Sequence, residues 1–279
     1  MNYSEEVYNQ IKQDYHEFAN EALDLDEITA IPISALKGDN IVGPSENTPW
    51  YDGQSVMEYL ERVEVAASSQ SRAFRMPVQW VNRPNREFRG FTGLIGSGCI
   101  AKGDRIRVLP SGTESIVSRI VTYDGDLELA GAGRSVTITL EDEIDISRGD
   151  VIASADSPCG TADQFQARIL WMDDSAMVSG RQYLFKSNTQ TTSMTLGKLK
   201  HRVDVNTLEK LPAKSLEMNE IGICNISLST RIAFDAYDDD PVMGGFVVVD
   251  RMTNNTVGMG LIDYALRRAE NIHLSLIHI

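Results

Sequence analysis

The sequence predicts a mostly β protein in which a short helix–strand–helix segment precedes two small closed barrels. Two observations lead there. The first 70 residues carry the helical spacing of apolar side chains, whereas from Arg75 onward apolar residues alternate in short runs. Those runs are separated by Gly, Pro, Asn and Asp and recur roughly every dozen residues, the spacing of small antiparallel barrels.

Residues 4–23 place Val7, Ile11, Tyr15, Phe18 and Ala22 on one face at steps of three and four, which predicts a surface helix. Ser4 suits its N-cap, and Glu5 and Glu6 suit the positive end of its dipole. A buried strand is expected at Ile28–Ser34, then a loop from Lys37 to Asp52 containing Pro44 and Pro49. Ser55 and Glu58 form a capping box for a second helix, expected to turn Val56, Leu60 and Val63 inward.

The runs PVQWV, RGFTGLIG, GDRIRVL, SIVSRIV, SVTITL and GDVIA predict the first barrel. QARILWM, RQYLFKS, TTSMTL, IGICNISL, GGFVVVD and TVGMGLI predict the second, and Asp156–Thr161 reads as the linker between them. The expected domains are 1–70, 71–155 and 161–267. The last residues, Leu274–Ile279, continue no pattern; they match the translation of a sequencing-library adapter and are expected to be an artefact.

Composition narrows the function. A formal charge of −14 opposes a phosphate backbone, and the one basic stretch, GKLKHR, has no interleaved aromatics, so no nucleic-acid surface is expected. No apolar run is long enough to span a bilayer, and MNYSEEVYNQ is polar and acidic, so neither a membrane span nor a secretory signal is supported. Cys99, Cys159 and Cys224 form no CxxC pair and read as reduced thiols of a cytoplasmic protein.

Few residues are arranged for chemistry. His16, His201, His273 and His278 are scattered, and no Ser, His and acid follow a hydrolase motif, so no catalytic residue is assigned. Asp238, Asp239 and Asp240 lack calcium-loop spacing and read as a solvated turn, and no metal ligand is assigned. Arg148-Gly149-Asp150 reads as a turn between strands, Trp80 and Trp171 as core or interface, and Trp50 as partly exposed.

The loop that leaves the first strand is different. In an α/β unit, the carboxyl end of a strand is where ligands bind, and small residues such as Ser34 and Ala35 let backbone N–H groups approach a base edge. An ordinary connection reads the same way, and the partners of such a site are missing. The chain has no G-x-x-x-x-G-K-[ST], no N-K-x-D and no D-x-x-G, so alone it is not expected to hydrolyse GTP.

The segments SALKGDNIVGPSENTPWYDG, FRMPVQWVNRPNREFRGF, TYDGDLELA, LEDEIDISRGD and DVNTLEK together resemble the large, GTP-binding subunit of bacterial sulfate adenylyltransferase, within the elongation-factor-Tu-like GTPases. The likeness runs to about residue 270. It implies the C-terminal edge of a P-loop α/β GTPase domain followed by two translation-factor-type β-barrels. It also implies that Ser34, Ala35 and Leu36 contact guanine in an intact protein, with GTP and Mg²⁺ as its cofactors and none for this chain alone. The implied partner is a small catalytic subunit that transfers adenylyl from ATP to sulfate, giving adenosine phosphosulfate and pyrophosphate in sulfate assimilation. GTP hydrolysis by the large subunit helps drive that reaction. On this reading the chain is a fragment, inactive by itself. The alternative is a translation-factor-like module that binds RNA or tRNA, which shares the layout of two barrels after a G domain.

Overall fold

The structure, a computed structural model, describes residues 2–22, 28–63 and 69–266. The chain divides into two compact units, residues 1–66 and residues 67–279, each described here by itself. Leu274–Ile279 lie outside the described residues.

The first unit opens with α1 (Glu5–Ala22). The Ser4 hydroxyl accepts the Val7 N–H at 3.3 Å, satisfying one of the orphan donors of the first turn. Pairs one turn apart, Gln10 with Asp14 and Gln13 with Glu17, brace the solvent face. Val7, Ile11, Tyr15 and Phe18 are exposed. The helix is tied to its own unit through Tyr8, whose hydroxyl donates to the Ala30 carbonyl at 2.9 Å.

The expected strand at Ile28–Ser34 is not formed. Residues 28–33 carry no ladder, and Ser34 makes a single bridge to Asp39. A strand exists only through its neighbour, and here side chains take over. Ala30 and Pro32 carbonyls accept from Tyr8 and from the Asn40 amide.

α2 (Val56–Arg62) has the capping box read from the sequence, Ser55 accepting from the Glu58 N–H and Glu58 from the Ser55 N–H. The inward face does not follow. No residue of α2 is buried, and Leu60 is 60% exposed. A seven-residue helix presents little area to pack. It is anchored instead by its first turn, Val56 and Met57 donating to the Asn40 and Ile41 carbonyls at 3.0 and 2.9 Å.

In the second unit, β1 (Arg75–Asn82), β2 (Gly90–Leu94), β3 (Cys99–Ala101), β4 (Arg105–Leu109), β5 (Glu114–Thr122), β6 (Gly125–Leu127), β7 (Leu129–Gly131), β8 (Ser135–Leu140) and β9 (Val151–Ser154) come first. The main sheet runs β4-β9-β1-β2-β8-β5-β6 and closes through β4–β5, with β3–β7 as a separate pair. Every pairing is antiparallel, and alternate residues face in: Met76, Val78, Phe91, Ile106, Ile120, Ile138 and Ile152 are buried together. Trp80, expected in the core or at an interface, is not in the core. A bulge between Val78 and Trp80 leaves Gln79 unpaired and turns the indole outward, 61% exposed.

The second barrel is built from β10 (Gly160–Trp171), β11 (Gln182–Ser187), β12 (Gln190–Val203), β13 (Lys210–Leu211), β14 (Ile221–Phe234), β15 (Gly245–Val249) and β16 (Thr256–Ala265), with a single helical turn, α3 (Pro241–Gly244), before β15. Its order is β11-β15-β16-β10-β14-β12-β13, closed by β11–β12. Phe165, Ile169, Trp171, Tyr183, Phe185, Leu196, Ile226 and Val248 fill it. Trp171 donates its indole N–H to the Ser175 carbonyl at 2.7 Å, which satisfies its one polar atom inside the core.

The stretch expected as a linker is partly packed. Cys159 is buried with Leu109, Val151 and Ala153 of the first barrel and Ala233 and Met243 of the second. Arg148-Gly149-Asp150 is a turn, with Gly149 at φ +104° and the Asp150 carboxylate accepting from Ser147 N–H at 2.8 Å.

Candidate functional site

The loop after residue 33 is built around two polar side chains. The Asp39 carboxylate accepts from the Tyr3 hydroxyl at 2.8 Å, the Ser45 hydroxyl at 2.6 Å and the Asn47 amide at 2.9 Å. Those three donors hold the carboxyl below the usual carboxylate range. Asn40, fully buried and left-handed at φ 55°, donates to the Pro32 carbonyl and the Thr48 hydroxyl, both at 2.8 Å, and accepts from Ser45 N–H at 2.7 Å. Asparagine tolerates that backbone and supplies both donor and acceptor, so it closes the loop that a larger residue would open.

Ser34 pairs with Asp39 across the turn, donating to its carbonyl at 3.3 Å, while Gly38, at φ +79°, donates back to the Ser34 carbonyl at 2.8 Å. Ser34 is half-buried; Ala35 and Leu36 are exposed, Leu36 almost completely. The N–H groups of Ala35 and Leu36 have no partner among the described residues. Two consecutive free donors therefore stand on the tip of a turn whose base is fixed.

Beside this turn lies a cleft of about 350 Å³, lined by Tyr3, Val7, Tyr8, Ile11, Ile33 and Trp50 and bounded by Ser34 and Asp39. Tyr8 and Trp50 meet at a tilt of 42° with ring centroids 5.2 Å apart, and Tyr51 meets both edge-on at 6.1 and 6.3 Å. Burial raises the Tyr8 and Tyr51 hydroxyl pKa values. Trp50, half-buried, donates its indole N–H to the Tyr3 carbonyl at 2.9 Å.

Reading the residues gave the turn tip, Ser34–Leu36, but missed the side chains that hold it: Tyr3, Asp39, Asn40, Ser45 and Thr48. The tripeptide Gly38-Asp39-Asn40 was the available signal, since Gly and Asn are the two residues that enter left-handed backbone at low cost.

Elsewhere several reactive side chains are in structural use. The Cys159 and Cys224 thiols are pushed up to about 12 by burial, which keeps them protonated. Asp240 caps α3, accepting from Val242 and Met243 N–H at 2.9 and 3.2 Å, and Asp238 pairs with Arg168. Among the described residues no group of three His, Cys, Asp or Glu is placed to hold a metal ion, and no helix is long and apolar enough to cross a membrane.

Residues 164–263 match the GTP-eEF1A C-terminal domain-like family. Sulfate adenylyltransferase subunit 1 of Alteromonas mediterranea is 48% identical over 262 residues, 94% of this chain and 55% of that protein. The bifunctional enzyme NodQ of Rhizobium meliloti is 48% identical over 273 residues, 98% of this chain and 42% of that one. Over the residues it spans, this chain is a homologue of sulfate adenylyltransferase subunit 1 and NodQ. It spans about half the length of the curated relatives it matches. The fold of this chain is also found in a solved structure. A crystal structure of sup35 complexed with GDP superposes with a TM-score of 0.66 at 22% identity, over 96% of this chain and 67% of that one.

Proposed function

We propose that this chain is part of the GTP-binding subunit of a sulfate adenylyltransferase, and that Ser34, Ala35 and Leu36 supply the base-recognition loop of its guanine nucleotide. The observation that carries the site is the pair of unpartnered N–H groups at Ala35 and Leu36, held on a turn whose base is fixed by Asp39 and Asn40. A backbone N–H pointing from a rigid turn donates only to a hydrogen-bond acceptor, and guanine offers its 6-oxo oxygen where adenine offers an amino group. Water competes for an exposed donor, so the loop contributes selectivity more than raw affinity.

The reading of the whole protein rests on relatives named subunit 1, a name that itself describes a multi-subunit enzyme. In that assembly GTP hydrolysis is coupled to adenylyl transfer from ATP to sulfate on a smaller catalytic subunit. Phosphates and Mg²⁺ are bound outside the residues of this chain. The two closed barrels offer rigid surfaces for the small subunit.

The test is calorimetric titration of the chain against the small subunit encoded in the same gene cluster, with and without GTP. Binding that is indifferent to GTP is the expected result and assigns the partner contact to the barrels. Failure to bind, together with binding of tRNA, would replace this reading with a translation-factor one.

A further inference from the structure

We infer that Tyr3 and Asp39 are positioning residues for the Ser34–Leu36 turn. This rests on the reading of that turn as a base-recognition loop. The turn cannot be held by packing: Ala35, Leu36, Lys37 and Gly38 are all exposed. Its geometry therefore depends on polar bonds at its base, and Asp39 is where they converge. Through its backbone Asp39 pairs with Ser34, and through its carboxylate it accepts from Tyr3, Ser45 and Asn47.

Tyr3 is the distant member of this set, 36 residues away in sequence. Its backbone is left-handed at φ 57°, directly after Asn2 at φ 45°. For a tyrosine that conformation is strained, because its Cβ crowds the following carbonyl. It persists because the loop and its flank hold the residue at three points: the Asp39 carboxylate on the hydroxyl, the Trp50 indole N–H on the carbonyl at 2.9 Å, and the Lys37 ammonium 5.3 Å over the ring. Strain that is over-determined in this way marks a constraint beyond stability. The consequence is mechanical. Any displacement of the segment entering α1 is transmitted through the Tyr3 hydroxyl to Asp39, and from Asp39 to the height at which the Ala35 and Leu36 N–H groups stand.

The decisive measurement is ¹⁵N relaxation at Ala35 and Leu36 in this chain. Wild type is expected to show rigid order parameters near 0.85, and Asp39→Ala values below about 0.6, with Tyr3→Phe between them. Gln13→Ala, which removes only the exposed pair with Glu17 on α1, should leave both amides unchanged. If Asp39→Ala unfolds the unit, Tyr3→Phe decides, because it keeps the ring and removes only the hydroxyl. Unaltered order parameters in Tyr3→Phe, or a wild-type turn already below about 0.6, would overturn the proposal.

A second arm uses the intact subunit and reads the preference for GDP over ADP. Tyr3→Phe should lower that preference about tenfold, the effect of one lost hydrogen bond. A loosened turn with unchanged base preference would also sink the positioning role. Wild type without any preference for GDP refutes the base-recognition reading instead, and the relaxation data still decide whether Tyr3 and Asp39 set the turn.

Discussion

The Arg75 guanidinium meets the Asp235 carboxylate across the junction of the two barrels, Nε to Oδ2 at 2.7 Å and Nη2 to Oδ1 at 3.3 Å. Arg75 is buried, and its remaining nitrogen donates to the Phe74 and Ser157 carbonyls at 2.9 and 2.7 Å. Burial still dominates at Asp235: desolvation raises its carboxyl pKa against the lowering influence of Arg75. Arg75→Met leaves a part-buried carboxylate without its cation and should cost about 3 kcal/mol in urea unfolding, whereas Arg75→Met with Asp235→Leu should recover most of that loss. A double variant no more stable than the single one would show that the pair is not coupled.

Asp250 and Asp235 should give opposite pH dependence. Met252 and Thr253 N–H groups hold the Asp250 carboxyl low, so its contribution is present above the ordinary carboxylate range and lost as pH falls through the folded value. Asp235, with a raised folded value, contributes stability below the ordinary range that is lost as pH rises through that value. Asp250→Asn should therefore flatten the acid limb of stability measured between about pH 5 and pH 3, and a limb as steep as wild type would contradict the assignment.

Gly98 is a backbone necessity. At φ +69° it enters the left-handed region, and a Cβ there would lie 2.5 Å from the Phe74 backbone nitrogen. Gly98→Ala should destabilise the first barrel by more than about 1 kcal/mol, read as a lower melting temperature of the second unit. Gly112→Ala is the control, since it shares the positive φ but has nothing within 4 Å.

The thiols should react in two classes. Cys99 is exposed, while Cys159 and Cys224 are buried with thiols pushed up to about 12. Titration with a thiol reagent should count one group in the native chain and three in denaturant, out of three in the sequence. A second group reacting at the native rate would report an opening motion, either at the barrel junction where Cys159 lies or in the second barrel around Cys224.

α1 shows Val7, Ile11, Tyr15 and Phe18 to solvent along one stripe. Contiguous exposed apolar surface favours self-association. Ile11→Lys together with Phe18→Lys should reduce light scattering of the concentrated protein while shifting stability by no more than about 0.5 kcal/mol, the usual effect of surface changes. A larger loss would mean that the stripe is covered within the chain.

The barrels were legible because alternation is a strong local signal wherever a strand has one wet and one dry face. Val78, Phe91, Ile138 and Ile152 fall where the period of two puts them. Strands β3, β6, β7 and β13, of two or three residues, are too short to show any period. The bulge at Gln79 is invisible for a different reason: it is set by register against Gly93 and Thr92, which no local pattern records. At residues 28–33 the apolar run is real, but pairing is a property of two segments, and the described chain supplies no neighbour. In the candidate site Ser34 and Ala35 stand out as small residues and Leu36 comes only from the family resemblance, whereas the bond from Tyr3 to Asp39 spans a distance in sequence that no motif covers.

The three tryptophans fall one to each part of the chain. Trp50 sits in the aromatic group of the first unit, Trp80 on the outside of the first barrel at its bulge, and Trp171 inside the second barrel. Their surroundings differ enough to separate them optically: an indole in water emits to the red of one in a dry core. Replacing any two by phenylalanine would leave a single indole, which can be excited beyond the tyrosine absorption, so that the melting of each part is read by colour without attaching a dye.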